Sequence, residues 1–150
     1  MKRIFLLTVF LSLAFLGLVN AQQPAPAFTG AVATLNSHNA LYVLNSGDEN
    51  KISSTLRNIN NVLNDPRLKG KLQIELIVFG DAFTVYQKTG PYETRLKELV
   101  QKGVILAQCE NTLIQRKIEK SSLFPFVSFV PTANGEIIIR HYQGWAIVHP

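Results

Sequence analysis

The amino-acid sequence predicts an α/β fold, a three-layer sandwich in which helices cover both faces of a five-stranded parallel sheet. Short runs of Ile, Leu and Val recur along the chain, and such runs are typical of strands that are buried on both faces. Segments with apolar residues at helical spacing lie between them, and Gly, Asp and Pro mark the boundaries. This alternation of strand and helix is typical of parallel strands joined by right-handed crossovers.

The composition fits one compact globular domain. The chain has 150 residues, of which 47% are hydrophobic and 17% are charged, and it contains one Cys. These proportions exclude a disordered, a collagen-like and a disulfide-stapled chain. A chain of this length suits one hydrophobic core better than two.

The first residues are typical of an export signal. Lys2 and Arg3 precede an apolar run over residues 4–18, and Val19-Asn20-Ala21 supplies the small residues of a cleavage site. The run is about 15 residues long, and a membrane anchor needs roughly 20, so the alternative of an anchor is disfavoured. We expect a signal peptide at residues 1–21 and a secreted protein, free of the membrane after cleavage and periplasmic in a Gram-negative source.

A leader is expected between the cleavage site and the folded domain. Residues 22–27 are Pro-rich and uncharged, so they can bury little surface. We therefore assign residues 22–36 to a flexible leader and residues 37–150 to the domain.

The first predicted strand is the apolar run over residues 40–44, which the polar residues 45–48 end. Ser46, with Glu49 three residues later, fits a capping box at the start of a helix. Apolar residues then recur at i, i+4, i+7 and i+11, which predicts one buried helical stripe. The stripe consists of Ile52, Leu56, Ile59 and Leu63. Pro66 follows Asn64 and Asp65, and the helix is expected to end there, because the residue before a proline disfavours the α conformation.

The middle of the chain predicts two more strands with helical segments between them. Residues 72–79 are rich in Ile, Leu and Val and form the second predicted strand. A short helical segment over residues 82–87 and a helix over residues 92–102 follow, and Gly103 supplies a C-terminal stop. Residues 104–107 are a third buried run.

The last third of the sequence fits two arrangements. Residues 126–130 predict a fourth strand, and residues 132–135 fit either a hairpin turn or a loop that precedes a helix. We favour the helix, because parallel strands are joined by crossovers. Residues 144–148 then predict the fifth strand.

The charge balance gives no sign of a nucleic-acid partner. Removal of Lys2 and Arg3 with the signal leaves 13 Lys and Arg against 10 Asp and Glu, a net charge of +3. No basic run with interleaved aromatic residues occurs in the sequence. We therefore expect no binding to nucleic acid.

The lone cysteine, Cys109, is the candidate reactive residue. It lies at the end of the third predicted strand, and Glu110-Asn111-Thr112 leads directly into a predicted helix. This edge of an open α/β sheet binds ligands. Free backbone N–H groups and a helix dipole there favour the thiolate, the reactive form, whereas the Glu110 carboxylate opposes it unless turned away. The alternative is a small buried apolar residue, as most free cysteines are.

Other common motifs are absent from the sequence. There is no Cys-x-x-Cys, which excludes intramolecular dithiol exchange, and no G-x-G-x-x-G, Walker A or G-x-S-x-G pattern. The three histidines, His38, His141 and His149, do not have metal-ligand spacing with the carboxylates. We expect neither a metal nor an organic cofactor.

The sequence contains Asn58-Ile59-Asn60-Asn61, residues 74–81, Lys102-Gly103-Val104, Cys109-Glu110-Asn111-Thr112 and the ending over residues 144–150. Together these segments resemble the DsrE/DsrF-like family, in its small single-domain branch. The resemblance runs over residues 38–150, and its most specific element is the Gly-Val strand that leads to Cys-Glu-Asn-Thr.

The resemblance implies a flavodoxin-like, DsrE-like sandwich that assembles into homo- or hetero-oligomers, commonly trimers or hexamers. In related members a Cys in this region takes up a sulfane sulfur as a persulfide and passes it to a partner. By position, that role would fall to Cys109. The resemblance also favours the helix over residues 134–142.

These observations lead to three hypotheses. In the first, the protein is an exported, oligomeric sulfur carrier or sulfurtransferase in which Cys109 accepts a sulfane sulfur from a donor and passes it to an acceptor. N–H groups around Asn111 and Thr112 would stabilise the sulfur's charge, and Glu110 would orient the site or accept a proton. In the second, the protein is a non-catalytic partner- or ligand-binding module with Cys109 buried. The third is a single-cysteine redox sensor.

Overall fold

The computed structural model describes residues 27–150, which contain one five-stranded sheet with all neighbouring strands parallel. The predicted signal peptide at residues 1–21 and the first part of the predicted leader lie outside the described residues. Within the described part of the chain, no helix is long and apolar enough to cross a bilayer.

The elements alternate along the chain as the sequence predicts. The strands are β1 (His38–Leu44), β2 (Leu72–Val78), β3 (Ile105–Cys109), β4 (Ser128–Val130) and β5 (Ala146–Val148). The α-helices are α1 (Glu49–Leu63), α2 (Glu93–Gln101), α3 (Glu110–Arg116) and α4 (Ala133–Tyr142), and short 3-10 helices form at Gly80–Tyr86 and Lys120–Ser122. The predicted α/β fold is confirmed, and α4 decides the last third in favour of a helix over a hairpin.

The strand order places consecutive strands side by side and then brings the chain back. The order is β4-β3-β2-β1-β5, so the chain steps in one direction from β1 to β4. The fifth strand returns to the other side of β1, where Ala40 pairs with Ala146. The connection from β4 to β5 therefore crosses three strands, and α4 lies within it.

The two faces of the sheet are covered differently. On one face, buried side chains of α1, α2 and α3, such as Ile52, Leu96 and Leu113, pack with the strands in the larger apolar core. On the other face, α4 contributes Ala133 and Ile137 to a smaller core. This division follows from the strand order, because only the last connection runs back across the sheet.

The start of α1 differs from the prediction in its cap. Asp48 is the N-cap residue, and its side chain accepts a hydrogen bond from the Lys51 N–H at 2.8 Å. The predicted cap, Ser46, instead accepts the N–H of Asp48 at 3.2 Å. A carboxylate at this position also complements the helix dipole, which favours Asp48 as the cap.

Candidate functional site

Cys109 lies where two neighbouring strands send the chain to opposite faces of the sheet. It is the last residue of β3, and its partner in the ladder is Val130, the last residue of β4. The helix after β3 packs through Leu113 on one face, whereas the helix after β4 packs through Ala133 on the other. Such a divergence opens a crevice at the carboxyl ends of the strands, and ligands bind there in open α/β sheets.

A small depression occupies this crevice, with a volume of about 180 Å³. Its lining comes from the end of β3, from α3, from the start of α4 with its N-cap residue, and from the residue after β2. The lining residues are Phe79, Cys109, Asn111, Thr112, Gln115, Thr132, Ala133 and Asn134. They supply amides, hydroxyls, one thiol and one aromatic ring, and no acidic or basic residue. Because sites for drug-sized ligands measure about 300–1,000 Å³, this depression suits a group of few atoms.

The Cys109 sulfur receives a hydrogen bond from the start of α4. The Ala133 N–H donates to Sγ at 3.4 Å, and the cysteine is 5% exposed. Ala133 is the first residue of α4, so its N–H has no partner inside the helix and lies at the positive end of the helix dipole. The contact therefore places a backbone donor at the start of a helix against the sulfur.

The loop before α4 is fastened to the start of α3. The Asn111 N–H donates to the Pro131 carbonyl oxygen at 3.3 Å, and the Thr132 hydroxyl caps α4 by accepting the Gly135 N–H at 3.0 Å. The N–H of Asn111, which was expected to face the sulfur, is thus bonded to Pro131. The Ala133 N–H reaches the sulfur instead.

Thr112 joins the site to the end of β2. Its side chain is buried, and its hydroxyl oxygen accepts the Gly80 N–H at 3.1 Å. Gly80 has a φ of 58°, and an added Cβ would lie 3.1 Å from the Asn45 carbonyl oxygen. This turn therefore requires glycine, and Thr112 holds it against α3.

Glu110 is turned away from the sulfur. Its carboxylate forms an ion pair with Lys120 and borders a second depression on the other side of α3, not the depression beside Cys109. The sequence suggested that this carboxylate would oppose the thiolate. In the structure it is paired with a cation. The predicted roles of Glu110 in orienting the site or accepting a proton have no supporting contact to Cys109 among the described residues.

Sequence reasoning missed the residues that come from the loop after β4. Thr132, Ala133 and Gly135 lie more than twenty positions after Cys109, and only the strand order brings them to the sulfur. The available signal was Thr132 ahead of a helical segment, since Thr is a preferred N-cap residue. Across residues 27–150, no three His, Cys, Asp or Glu side chains are grouped as a metal site.

Comparisons with known proteins place the fold among characterised structures. A model of the DsrE/DsrF-like family matches residues 38–150. A search of curated proteins found no match.

Three solved structures share the fold. The protein of unknown function MTH1491 from Methanobacterium thermoautotrophicum aligns with a TM-score of 0.72 and 24% identity, over 76% of this chain and 100% of its own. The conserved protein of unknown function BT1422 from Bacteroides thetaiotaomicron gives a TM-score of 0.59 and 14% identity, over 74% and 94%. The ychN protein from E. coli gives 0.55 and 12%, over 76% and 99%. At these identities the likeness shows the fold.

Proposed function

Since this chain belongs to the DsrE/DsrF-like family, we propose that it is a sulfur-relay protein in which the Cys109 thiolate accepts a sulfane sulfur and passes it on as a persulfide. Family membership supports a sulfur-relay role at the level of the family. The observation that carries the proposal for this chain is the position of Sγ, in the crevice between β3 and β4 with the Ala133 N–H donating to it.

The accepting step is a displacement at sulfur. The thiolate attacks the outer sulfur of a sulfane donor, the new Sγ–S bond forms, and the donor's S–S bond breaks with its electron pair on the leaving group. With thiosulfate, a thiolate and a dianion become a persulfide anion and sulfite, so no external oxidant or reductant is consumed. The Ala133 N–H donates to the sulfur that attacks.

The second step returns Cys109 to its starting state. A thiolate of an acceptor protein attacks the outer sulfur of the persulfide, and the Sγ–S bond breaks with its electron pair on Sγ. Negative charge then develops on the sulfur to which Ala133 donates. A preorganised donor at this position stabilises the leaving thiolate.

The proposal includes export and self-association. An export signal at residues 1–21 would place the relay outside the cytoplasm, with a donor and an acceptor in the same compartment. For association, α4 presents Ile138, Ile139 and Tyr142, which are 57%, 53% and 87% exposed. Large apolar side chains grouped on one helix are typical of a subunit contact, and we assign them to a trimer or hexamer of this chain.

One observation favours a second candidate function. Cys109 is 5% exposed and packs with apolar side chains of the smaller core, as a structural cysteine does. In that case the protein is a binding module, and the depression beside Cys109 receives a small ligand without reaction at sulfur.

The mass of the intact protein distinguishes the two functions. After treatment with thiosulfate or polysulfide, we expect the wild-type protein to gain one sulfur atom, to lose it on reduction with dithiothreitol, and to react rapidly with iodoacetamide near neutral pH. Cys109→Ser is the matched control, since it keeps the size of the side chain and removes the thiol. A protein that gains no sulfur and alkylates slowly, or a Ser variant that gains the same mass, would contradict the relay.

A further inference from the structure

We propose that Thr132 and Gly135 are positioning residues that hold the Ala133 N–H against the Cys109 sulfur. The inference deepens the proposed function, on which its biological meaning rests, by assigning the residues that set the reactivity of the thiol. The hydrogen bond recorded for the sulfur comes from Ala133, not from Thr132 or Gly135. Both act through the first turn of α4.

The Thr132 hydroxyl fixes the geometry of that turn. Its Oγ1 accepts the Gly135 N–H at 3.0 Å, while the Thr132 carbonyl oxygen accepts the Glu136 N–H at 3.1 Å. Ala133 lies between these two anchors and is buried. With both ends of the turn held, the Ala133 N–H has a fixed direction, and that direction is toward Sγ at 3.4 Å.

Gly135 leaves the space that the hydroxyl occupies. A Cβ at position 135 would lie 2.6 Å from Thr132 Oγ1, closer than real Cβ atoms approach another atom. The next nearest atom is the Thr132 Cβ, at 4.0 Å. The clash at this position therefore comes from one hydroxyl group and not from the backbone, since the φ of Gly135 is not in the left-handed region.

The loop that precedes Thr132 is held in place as well. A change at the cap therefore alters the position of the first turn of α4 relative to the sulfur. The Pro131 carbonyl oxygen accepts the Asn111 N–H, so the chain ahead of Thr132 is tied to the start of α3. An added Cβ at position 135 would displace the Thr132 hydroxyl and break its bond to the Gly135 N–H, and without that cap the first turn of α4 is free to shift relative to Cys109. The Ala133 N–H would lose its alignment with Sγ, and the thiolate would lose its donor.

A double-mutant cycle on the alkylation rate tests this chain of contacts. The variants are Gly135→Ala, Thr132→Ala and both together, and the second-order rate with iodoacetamide is measured as a function of pH. We expect Gly135→Ala to lower the rate near neutral pH about fivefold, as loss of a helix N-terminus from a thiolate would. Thr132→Ala lowers it to a similar extent, and adding Gly135→Ala to it causes no further loss, because the colliding hydroxyl is gone.

Two control variants separate positioning from general loosening of the fold. Thr132→Ser keeps the capping hydroxyl and should keep the rate within about twofold of the wild type. Gly103→Ala strains a distant turn, where φ is 86°, and should leave the rate unchanged. General loosening would raise the alkylation rate of a buried thiol, whereas loss of the N–H donor lowers it.

The outcomes are distinct from those of the persulfide experiment. The positioning role would be overturned, even if Cys109 takes up sulfur, by an alkylation rate of Gly135→Ala equal to or above that of the wild type. It would also be overturned if Gly135→Ala lowered the rate equally in the wild-type and Thr132→Ala backgrounds. A fall that depends on the Thr132 hydroxyl would support the role even if the protein gains no sulfur, in which case the relay alone fails. If a variant folds poorly, the chemical shift of the Ala133 amide is compared between the wild-type and Cys109→Ser proteins. A change of chemical shift confined to the first turn of α4 supports the contact with the sulfur. No change overturns it.

Discussion

Glu75 carries a carboxylate in the middle of the sheet that is 1% exposed. Arg140 of α4 forms an ion pair with it at 2.6 Å and also pairs with Glu136 at 2.8 Å. Burial raises the pKa of Glu75, the negative charge of Glu136 adds to the rise, and the positive charge of Arg140 opposes it. The folded protein thus binds the Glu75 proton more tightly than the unfolded chain does.

This difference predicts a pH dependence of stability at one residue. Where the folded state holds more protons than the unfolded state, the free energy of unfolding falls as the pH rises. The wild type should therefore lose stability relative to Glu75→Gln as the pH rises from about 4.3, the ordinary pKa of Glu, through the raised pKa of Glu75. Urea unfolding of both proteins between pH 4 and pH 7 measures the difference. A wild type that gains on the variant as the pH rises would show that attraction to Arg140 outweighs burial.

Thr112 predicts a second effect at the residue scale. In Thr112→Val the Gly80 N–H loses its acceptor at the edge of the site, so the variant should be less stable by about 1–2 kcal/mol. Thr112→Ser keeps the hydroxyl and should recover most of that loss. Urea unfolding measures both, and a Val variant as stable as the wild type would show that the Gly80 N–H finds another partner.

At the scale of elements, α4 is the helix that covers one face of the sheet and also supplies the donor to Cys109. Arg140 fastens it: the guanidinium pairs with Glu75 and Glu136 and lies 4.2 Å from the centre of the Trp145 ring. In Arg140→Leu the buried Glu75 carboxylate is left without its cation, and we expect a loss of about 3 kcal/mol.

The double variant tests the cause of that loss. Glu75→Gln removes the unpaired charge, so Arg140→Leu should cost less in the Glu75→Gln background than in the wild type. Thermal or urea unfolding of the four proteins measures the coupling. Equal losses in the two backgrounds would assign the effect of Arg140 to its other contacts, the ion pair with Glu136 and the packing on Trp145.

The elements themselves were predictable, and the reason lies in local sequence. Ile52, Leu56 and Ile59 of the predicted stripe are buried, and Leu63 is half-buried against the same core. Gly103 follows the end of α2 as a stop. The N-cap of α1 was predicted at Ser46 and lies at Asp48, since both residues can cap and only the backbone geometry selects one. The contacts of the site were less predictable, because the Ala133 N–H and the Lys120 ammonium come from segments that the strand order, not the local sequence, brings to Cys109 and Glu110.

At the scale of the whole molecule, the exposed apolar side chains of α4 predict the subunit contact. Ile139→Asp places a charge among Ile138 and Tyr142 and should raise the dissociation constant of the assembly at least about tenfold. Light scattering after gel filtration measures the mass over a range of concentrations. Val100→Asp, at an exposed apolar residue of α2, is the matched control and should leave the assembly intact. If the Val100 variant dissociates and the Ile139 variant does not, the contact lies on the helix layer of the other face.

The pairing of β5 with β1 also determines when folding can be completed. The first four strands can align in the order in which they occur along the chain, yet β1 keeps one row of N–H and C=O groups unpaired until Ala146–Val148 pairs with it. An unpaired strand edge can add a strand from another molecule. Closing the sheet requires a contact between distant parts of the sequence, which is slow compared with the local steps. The interval between alignment of β4 and docking of β5 is therefore when a folding chain is most open to capture by a chaperone or to strand exchange with a second copy.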